Sequence, residues 1–392
     1  MSQRLINLSP ELKSLRDEGL GVDVRGGCLI VQPLPYVKSD KTIAYGALVV
    51  KLNTASDEKL CEVDDHCAFF SGELPCDVDS KPMEWLAVDH NQIELGGIAV
   101  HHRFSRHLPG RQYKDYYELV TTYVGLICTA AEHLDHSVKA RSFPVIEENA
   151  DESVFMYADT ASSRAEIEAI TKKLAGGKIA ILGVGGTGSF VLDFVAKTPV
   201  AEIHIYDGDV FSQHNAFRSP GAPDKNDLKA RPQKVHYFQE RYARMHRHVI
   251  PHDAFISEAN IGELQQMNFV FVCFDPVVPK KLVVSKLEEW DIPFIDVGMG
   301  LNAVNDKITG IVRTTTSTND NREIARANIP LTGDDEPNEY ATNIQIADLN
   351  ALNAALAVIE WKKLAGFYAD LGREFCSAYT LATNAILKLD SA

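Results

Sequence analysis

Short apolar runs alternate with helical patterns along the second half of the chain. Four runs are bounded by glycine, proline or aspartate and predict buried strands: Ile179–Val184, Glu202–Tyr206, Phe269–Phe274 and Pro293–Val297. Apolar residues with helical spacing predict helices at Phe190–Ala196, Leu228–His248, Lys280–Trp290 and Ile344–Ala365. Strands that alternate with helices are typical of an α/β fold with a doubly wound, mostly parallel sheet. Asp306–Thr316 predicts an additional edge strand.

Residues 1–145 follow a different pattern and predict a separate α+β domain. Ser9 and Pro10 are suited to the N-cap and first position of a short helix. Four β-rich stretches and one long helix follow, at Cys28–Leu34, Thr42–Leu52, His66–Phe70, Gln92–His102 and Tyr113–His133. The first two stretches flank a proline-containing turn and predict a hairpin-like pair. Acidic residues 146–160 predict a linker to a second domain, residues 161–392, which opens on a predicted helix at Ala161–Gly176.

Composition narrows the classes of protein that fit these elements. The chain has 392 residues, 45% of them hydrophobic, which suits two or three soluble domains. Its net charge of −15 disfavours a nucleic-acid partner. No apolar run has the length of a membrane span and no signal-peptide core follows Met1, so we expect a cytoplasmic protein without membrane contact.

The cysteines and histidines indicate no metal site. There are 7 scattered cysteines and no C-x-x-C pair, which argues against a disulfide framework and a structural zinc site. Cys61 and Cys67, and His101, His102 and His107, lie near one another in sequence, but their spacing matches no zinc pattern. We therefore expect no zinc.

A glycine-rich turn lies between the first predicted strand and helix of the second domain. It spans Gly183 to Ser189, and Asp207 ends the next strand. Glycines allow the backbone to approach phosphates closely, and the following helix offers free N–H groups. A carboxylate at Asp207 can accept hydrogen bonds from ribose hydroxyls. These features predict nucleotide binding without deciding which nucleotide is bound.

Polar residues after the turn make a family resemblance specific. Asp207 and Asp209, then Asn215 and Arg218, Lys234 and Asp275 follow in that order. Over about residues 160–365 the chain resembles the adenylating domain of the E1-like family, which includes ubiquitin-activating enzymes and the ThiF, MoeB and HesA proteins. The resemblance implies a Rossmann-like fold. His214–Ser219 departs from the usual Ser-Asn-Leu-x-Arg-Gln, and Pro276 replaces the usual Asn, which indicates a divergent, bacterial-type member.

The resemblance and the chemistry of adenylation imply a role for each residue type. Arg218 and Lys234 would neutralise charge on the phosphates during transfer, and Asp275 would hold Mg²⁺. The reaction would form an acyl-adenylate and pyrophosphate. The predicted ATP-binding residues are Gly183, Gly185, Gly186, Gly188, Ser189, Asp207, Asp209 and Asn215.

A covalent second step is left open by the sequence. E1 enzymes carry a cysteine in a crossover loop, and the corresponding stretch, Arg313–Thr342, has none. The chain could stop at the adenylate, or a cysteine of the N-terminal region could accept the acyl group. A hydroxyl could also accept it, with Thr316, Ser317 and Thr318 as candidates beside Thr314 and Thr315, although a hydroxyl needs a base and no histidine lies there.

The resemblance also implies partners. It predicts a ubiquitin-like or sulfur-carrier protein as substrate, a homodimer, and an N-terminal domain that recruits the carrier or is itself E2-like, with an E2-like conjugating protein as a further partner. Relatives often borrow an arginine from the dimer partner; Arg164 is the only arginine in the helix before the turn, and a solvated position is its simpler interpretation. The alternatives are a small-molecule or peptide carboxylate, an NAD-dependent oxidoreductase, and an inactive scaffold.

Overall fold

The chain divides into two units, Met1–Glu148 and Asn149–Ala392. A computed structural model describes residues 2–56, 59–148, 150–151, 153–332, 344–372 and 374–388. No helix in these stretches combines the length and the hydropathy of a membrane span.

The first unit is an antiparallel sheet with a long helix against it. Its six-stranded sheet has the order β1-β2-β3-β6-β10-β7, and the predicted pairing of the first two β-rich stretches is confirmed by β2 and β3. The helices are α1 (Ser2–Leu8), α2 (Pro10–Asp17) and α3 (Tyr116–Leu134). The strands are β1 (Val22–Arg25), β2 (Cys28–Val37), β3 (Ile43–Lys51), β4 (Thr54–Ser56), β5 (Lys59–Leu60), β6 (Cys67–Ser71), β7 (Ala87–Asp89), β8 (Ile93–Leu95), β9 (Ile98–Val100) and β10 (His102–Ser105).

Helix α3 closes the core of this unit. Asp115 caps its start by accepting the N–H of Glu118 at 2.8 Å. Its buried face includes Tyr123, whose hydroxyl donates to the carbonyl of His66 at 2.7 Å. The single strand predicted over Gln92–His102 is wrong. Gly96 and Gly97 have φ of 58° and 76°, so they form a two-residue turn that folds the stretch into the β8–β9 hairpin.

The second unit contains the alternating pattern. Its helices are α4 (Thr160–Arg164), α5 (Glu168–Thr171), α6 (Thr187–Val195), α7 (Gln213–Ala216), α8 (Lys225–Ala230), α9 (Lys234–Tyr242), α10 (Val277–Glu289), α11 (Arg322–Asn328) and α12 (Ala347–Leu364), with 3-10 turns at Lys172–Leu174 and Ile261–Gln266. Its strands are β11 (Lys178–Leu182), β12 (Glu202–Tyr206), β13 (Val249–His252), β14 (Phe269–Val272), β15 (Phe294–Val304), β16 (Lys307–Ser317), β17 (Cys376–Thr380) and β18 (Ala385–Lys388).

These strands form one mixed sheet of eight, in the order β13-β12-β11-β14-β15-β16-β17-β18. The strands from β13 to β15 are parallel, and the pairs from β15 to β18 are antiparallel. Residues of α6, α9 and α12 pack on one face, and residues of α10 pack on the other. The predicted doubly wound α/β fold is confirmed. The strand order reverses between β11 and β14, which is where open sheets of this kind bind ligands.

Three sequence-based boundaries are wrong for physical reasons. The predicted edge strand Asp306–Thr316 is an interior strand, because β17, which we did not predict, pairs with β16. The predicted helix Leu228–His248 breaks because Arg231 adopts φ of 47° and Pro232 follows. The helix predicted over Ala161–Gly176 breaks at Glu166, where φ is 58°.

Candidate active site

A cavity of about 640 Å³ opens where β11, β12 and β14 end. It lies at the reversal of strand order. Eight of the sequence-predicted site residues line it together: Gly183, Gly185, Gly186, Asp207, Asp209, Arg218, Lys234 and Asp275.

The glycine turn is compact because side chains would not fit in it. Gly183 has φ of 87°, and a Cβ atom there would lie 2.8 Å from the carbonyl oxygen of Cys273. A Cβ on Gly188 would lie 1.8 Å from the carbonyl oxygen of Gly183. Helix α6 then begins at Thr187, and its N-cap Gly186 makes no side-chain cap bond. Its first N–H groups therefore have no capping side chain and suit a phosphate.

Ser189 and Asn215 stabilise the backbone and do not line the cavity. The buried Ser189 hydroxyl donates to the carbonyls of Gly185 and Gly186 at 2.9 and 2.7 Å. Oδ1 of the buried Asn215 accepts the N–H of Ser212 at 2.9 Å. Its Nδ2 is buried and has no hydrogen-bond partner among the described residues. Gly188 also lies behind the lining, where it allows α6 to approach β11 closely.

Lys234 joins the two aspartates that end β12. Its Nζ lies 2.6 Å from Oδ2 of Asp209 and 3.3 Å from Oδ1 of Asp207. Asp207 is itself fixed by two backbone donors, the N–H of Val184 at 3.0 Å and the N–H of Asp209 at 2.9 Å. Lys234 and Asp207 are both nearly inaccessible to solvent, yet both line the cavity. A ligand phosphate could therefore reach this ammonium group.

Arg218 is a cation that forms no ion pair with the residues the structure describes. Its Nε atom is buried and has no hydrogen-bond partner among the described residues. Burial lowers the pKa of Arg218 from its ordinary value, while Asp209, Asp207 and Asp275 oppose that shift. An anion in the cavity would supply the missing partner.

Asp275 is exposed and follows β14, so it stands at the end of a parallel strand. Its carboxylate is the kind of hard oxygen ligand that Mg²⁺ takes alongside phosphate oxygens. The Asp207 and Asp209 carboxylates share the single positive charge of Lys234. The Asp275 carboxylate lines the same cavity and could hold a magnesium ion there.

An apolar wall that the sequence analysis missed completes the nucleotide side. Phe255 and Ile256, which follow β13, line the cavity together with Leu182 and Tyr206. A Cβ on Gly208 would lie 2.8 Å from the Phe255 ring, so a glycine there lets the ring approach the backbone. A flat apolar surface of this kind suits a nucleobase.

Helix α12 contributes two buried amides that the sequence analysis also missed. Asn350 donates to the carbonyl of Arg218 at 3.1 Å, and Asn353 donates to the carbonyl of Gly298 at 3.0 Å. Both line the cavity, as does Gln345 just before the helix. The available signal was a pair of asparagines three residues apart, which share one face of a helix rich in alanine and leucine.

A buried charge cluster lies next to the opposite wall. Asp296 forms ion pairs with Lys280 at 2.9 Å and with Arg313 at 2.6 Å. Arg313 also donates to the carbonyl of Asn328. Val297 and Gly298, which follow Asp296, line the cavity. The cluster therefore fixes the strand end that forms this wall.

Cys273 is the one cysteine among the described lining residues. Burial raises the pKa of Cys273, and the nearby Asp296 carboxylate raises it further. The thiol therefore stays protonated near neutral pH and is a poor nucleophile.

The candidate acyl-acceptor hydroxyls are not in a loop beside the cavity, so that prediction of their location is wrong. Thr314, Thr315, Thr316 and Ser317 are buried within β16. Thr315, Thr316 and Ser317 have hydroxyls with no hydrogen-bond partner in the described part of the chain, hence no base. Thr318 follows the strand and donates to Oδ1 of Asn321 at 3.0 Å. β-branched residues favour strands, which explains why these threonines lie in β16 and not in a loop. Residues 333–342 of the predicted loop lie outside the described residues.

The remaining candidates lie elsewhere. Arg164 is exposed at the end of α4. In the first unit, donor atoms of Asp65, His66 and Cys67 lie within 4.8 Å of one another. Nη2 of Arg103 lies 3.3 Å from Sγ of Cys67, so a cation already contacts this group. Cys61, His101, His102 and His107 are not part of this trio, and the expected absence of zinc stays a prediction.

Comparisons with known proteins follow the same division of the chain. Residues 158–371 match the model of the ThiF family, and residues 10–160 match a domain of unknown function, DUF6791. Among curated proteins, none matches the sequence significantly.

Similar solved structures include selenomethionine PaaA, with 16% identity over 70% of this chain and 94% of that one and a TM-score of 0.48. E. coli MccB with ATP has 17% identity, coverage of 58% and 69%, and a TM-score of 0.45. E. coli tRNA N6-threonylcarbamoyladenosine dehydratase, TcdA, has 17% identity, coverage of 53% and 92%, and a TM-score of 0.40.

Proposed function

Because the chain belongs to the ThiF family of E1-like adenylyltransferases, we propose that it adenylates the C-terminal carboxylate of a ubiquitin-like or sulfur-carrier protein with ATP. The observation that carries the proposal is the meeting of Arg218 and Lys234 with the glycine turn and Asp207 in one cavity. An NAD-dependent oxidoreductase would need the turn and the acid, but hydride transfer would not require these two cations.

The cavity offers a place for each part of ATP. Phe255 and Ile256 would hold the base, Asp207 the ribose, and the turn with the start of α6 the phosphates. Asp275 would bind Mg²⁺, which supplies charge neutralisation at the phosphates when bound.

The chemistry then follows from the two cations. A carboxylate oxygen attacks the α-phosphorus, the bond from that phosphorus to the bridging oxygen breaks, and pyrophosphate leaves. Arg218 and Lys234 stabilise the negative charge that develops on the phosphate oxygens. Lys234 would exchange its contact with Asp207 for one with phosphate, which frees the Asp207 carboxylate for the ribose.

We infer that the reaction in this cavity ends at the acyl-adenylate. The thiol of Cys273 is protonated, and the candidate hydroxyls are buried in β16. In the first unit, Cys61 is the half-buried cysteine, while Cys28, Cys67, Cys76 and Cys128 are buried. A thioester in that unit would therefore form on Cys61. The homodimer, the E2-like partner and carrier recruitment by the first unit remain part of the proposal.

The test is ATP–pyrophosphate exchange by the full chain with candidate ubiquitin-like proteins, and with short peptides for the peptide alternative. Arg218→Ala and Lys234→Ala should each lower exchange by a factor of about 100 to 1000. Arg244→Ala is the matched control, because Arg244 is exposed after the end of α9 and pairs only loosely with Glu240 at 3.6 Å.

Two outcomes would count against the proposal. One is exchange that survives both substitutions. The other is tight NAD binding with no exchange for any carboxylate. A hydroxylamine-sensitive adduct on Cys61 would show instead that a covalent step follows adenylation.

A further inference from the structure

Asn350 contacts two elements of the candidate active site at once. Its Oδ1 accepts a hydrogen bond from the hydroxyl of Thr187 at 3.1 Å, and its Nδ2 donates to the carbonyl of Arg218 at 3.1 Å. Thr187 begins α6 immediately after the glycine turn, and Arg218 follows α7. Only 1% of Asn350 is exposed, so both bonds are sheltered from competing water.

The fit around this amide is close. A Cβ atom on Gly186 would lie 2.3 Å from Nδ2 of Asn350, so the side chain rests directly against the turn. Asn353, one helical turn later, bonds instead to Gly298 and to Thr314. The same helix therefore presents one amide to the glycine turn and another to the β15–β16 wall.

The placement of Arg218 depends strongly on its backbone. Its N–H donates to the carbonyl of Asn215 at 3.1 Å, and its own carbonyl accepts from Asn350. Its guanidinium has no ion pair within 4.0 Å among the described residues to hold it before a ligand arrives. The position of the Arg218 backbone limits where its long side chain can reach. Ordering that side chain when a ligand binds costs conformational entropy.

We propose that Asn350 is a positioning residue that couples Arg218 to the phosphate-binding turn. The inference rests on the proposed function in one respect, that Arg218 and the turn contact the same ATP phosphates. With the bridge in place, the turn and the backbone that carries the Arg218 side chain are held in register before ATP binds. Without it, each must be ordered separately when the phosphates arrive.

The test is a double-mutant cycle on ATP affinity, measured by calorimetry with the full chain. Asn350→Leu keeps the branched shape at Cγ but cannot hydrogen-bond, and it should weaken ATP binding by about tenfold. In the Arg218→Ala background the same substitution should have a smaller effect, because the guanidinium is absent although the backbone carbonyl that Asn350 contacts remains. Adenosine, which lacks phosphates, should bind both Asn350 forms equally.

Asn353→Leu is the matched control, since it removes a buried amide from the same helix without touching Arg218. Its effect on ATP affinity should be the same in both backgrounds. If Asn350→Leu does not fold, Thr187→Val removes one arm of the bridge, and Thr187→Ser should restore the affinity. Equal losses for Asn350→Leu with and without Arg218, or an equal loss for adenosine, would overturn the inference.

This experiment fails separately from the proposed function. ATP binding needs no carboxylate substrate, so the cycle can be completed even if no candidate supports pyrophosphate exchange. If the Asn350 and Arg218 substitutions are coupled but no pyrophosphate exchange is found, the bridge is supported and the proposed substrate class is not. If exchange is found but the losses of ATP affinity are additive, the proposed function is supported and the bridge is not.

Discussion

The two walls of the cavity use charged residues in opposite ways. The nucleotide wall is formed by Gly183, Gly185 and Gly186 of the turn with Asp207, Asp209, Arg218 and Lys234, all of which line the cavity. The support wall rests on Lys280, Asp296 and Arg313, which do not line it. Asp296 and Lys280 are 0% and 1% exposed, and Asp296 forms close ion pairs with Lys280 and Arg313, whereas Arg218 forms no such pair among the described residues.

The difference separates two uses of the same residue types. Charges on the nucleotide wall are left incompletely satisfied, so a ligand can complete them. Charges on the support wall are paired with one another within the protein and hold its backbone in place. A buried ion pair need not stabilise a fold compared with apolar residues, but removing one member leaves a buried charge without compensation.

The largest effect on stability should come from the support wall. Asp296→Ala leaves both Lys280 and Arg313 without their counter-charge and should lower the free energy of unfolding by about 3 to 5 kcal/mol. Urea unfolding of the full chain measures this. Lys286→Met, which breaks an exposed pair with Glu289, should cost at most about 0.5 kcal/mol. If Asp296→Ala lowered the free energy of unfolding as little as this control does, the proposed difference between the two walls would be wrong.

Two glycines of the same turn should separate folding from binding. Gly188→Ala places a Cβ 1.8 Å from the Gly183 carbonyl and should destabilise the fold by about 1 to 3 kcal/mol. Gly185→Ala meets nothing within 4 Å but faces the cavity, so it should preserve stability and weaken ATP binding. Denaturation and calorimetry on both variants check this. If both variants changed stability and ATP affinity to the same extent, the two glycines would not have the separate roles expected here.

His246 is a third case, a titratable side chain that is buried without a counter-charge among the described residues. Its Nε2–H donates to the carbonyl of Val200 at 3.0 Å and its Nδ1 accepts the N–H of His248 at 3.2 Å, which fits the neutral ring. Burial lowers the pKa of His246, and the nearby His248 lowers it further, while the Val200 bond opposes the shift. A histidine with a lowered folded-state pKa contributes stability that is present above about pH 6.5 and is lost as the pH falls.

We therefore expect the free energy of unfolding to fall below pH 6.5, by at most about 1.4 kcal/mol per pH unit for this one group. Urea unfolding between pH 7.5 and 5.5 measures the slope. His246→Asn should flatten it, and His136→Asn, on an exposed residue, should leave it unchanged. An unaltered slope in His246→Asn would show that other groups account for the dependence.

The nucleotide wall could be predicted because its residues are tied to local features. The turn joins a recognisable strand to a helix, and Asp207 ends the next strand. The support wall could not be predicted, because Lys280, Asp296 and Arg313 come from α10, β15 and β16 and meet only through sheet pairing. Asn350 was missed for a similar reason, since its partners are 132 and 163 residues away.

The central strands of the sheet could be predicted from apolar runs, whereas the helix ends and the last two strands could not. β14 is entirely apolar and β11 is apolar after Lys178, whereas β12 and the start of β15 are mostly apolar, as is typical of buried strands. Helix ends at Glu166 and Arg231 depend on left-handed backbone at residues other than glycine, which residue type does not mark. Strands β17 and β18 are short and partly exposed, so their pattern is weak.

The smallest expected effect concerns Thr316, on the inner side of the support wall. Its hydroxyl is buried without a hydrogen-bond partner in the described residues, so it contributes a desolvation cost and no compensating bond. Thr316→Val keeps the shape and should leave stability unchanged or raise it by up to about 1 kcal/mol, measured by urea unfolding. Pyrophosphate exchange and any hydroxylamine-sensitive adduct should also be unchanged. Thr318→Val, which removes a bond to Asn321, should instead lower stability slightly. Loss of an adduct in Thr316→Val alone would restore this hydroxyl as an acyl acceptor, and would mean that the strand opens during the reaction.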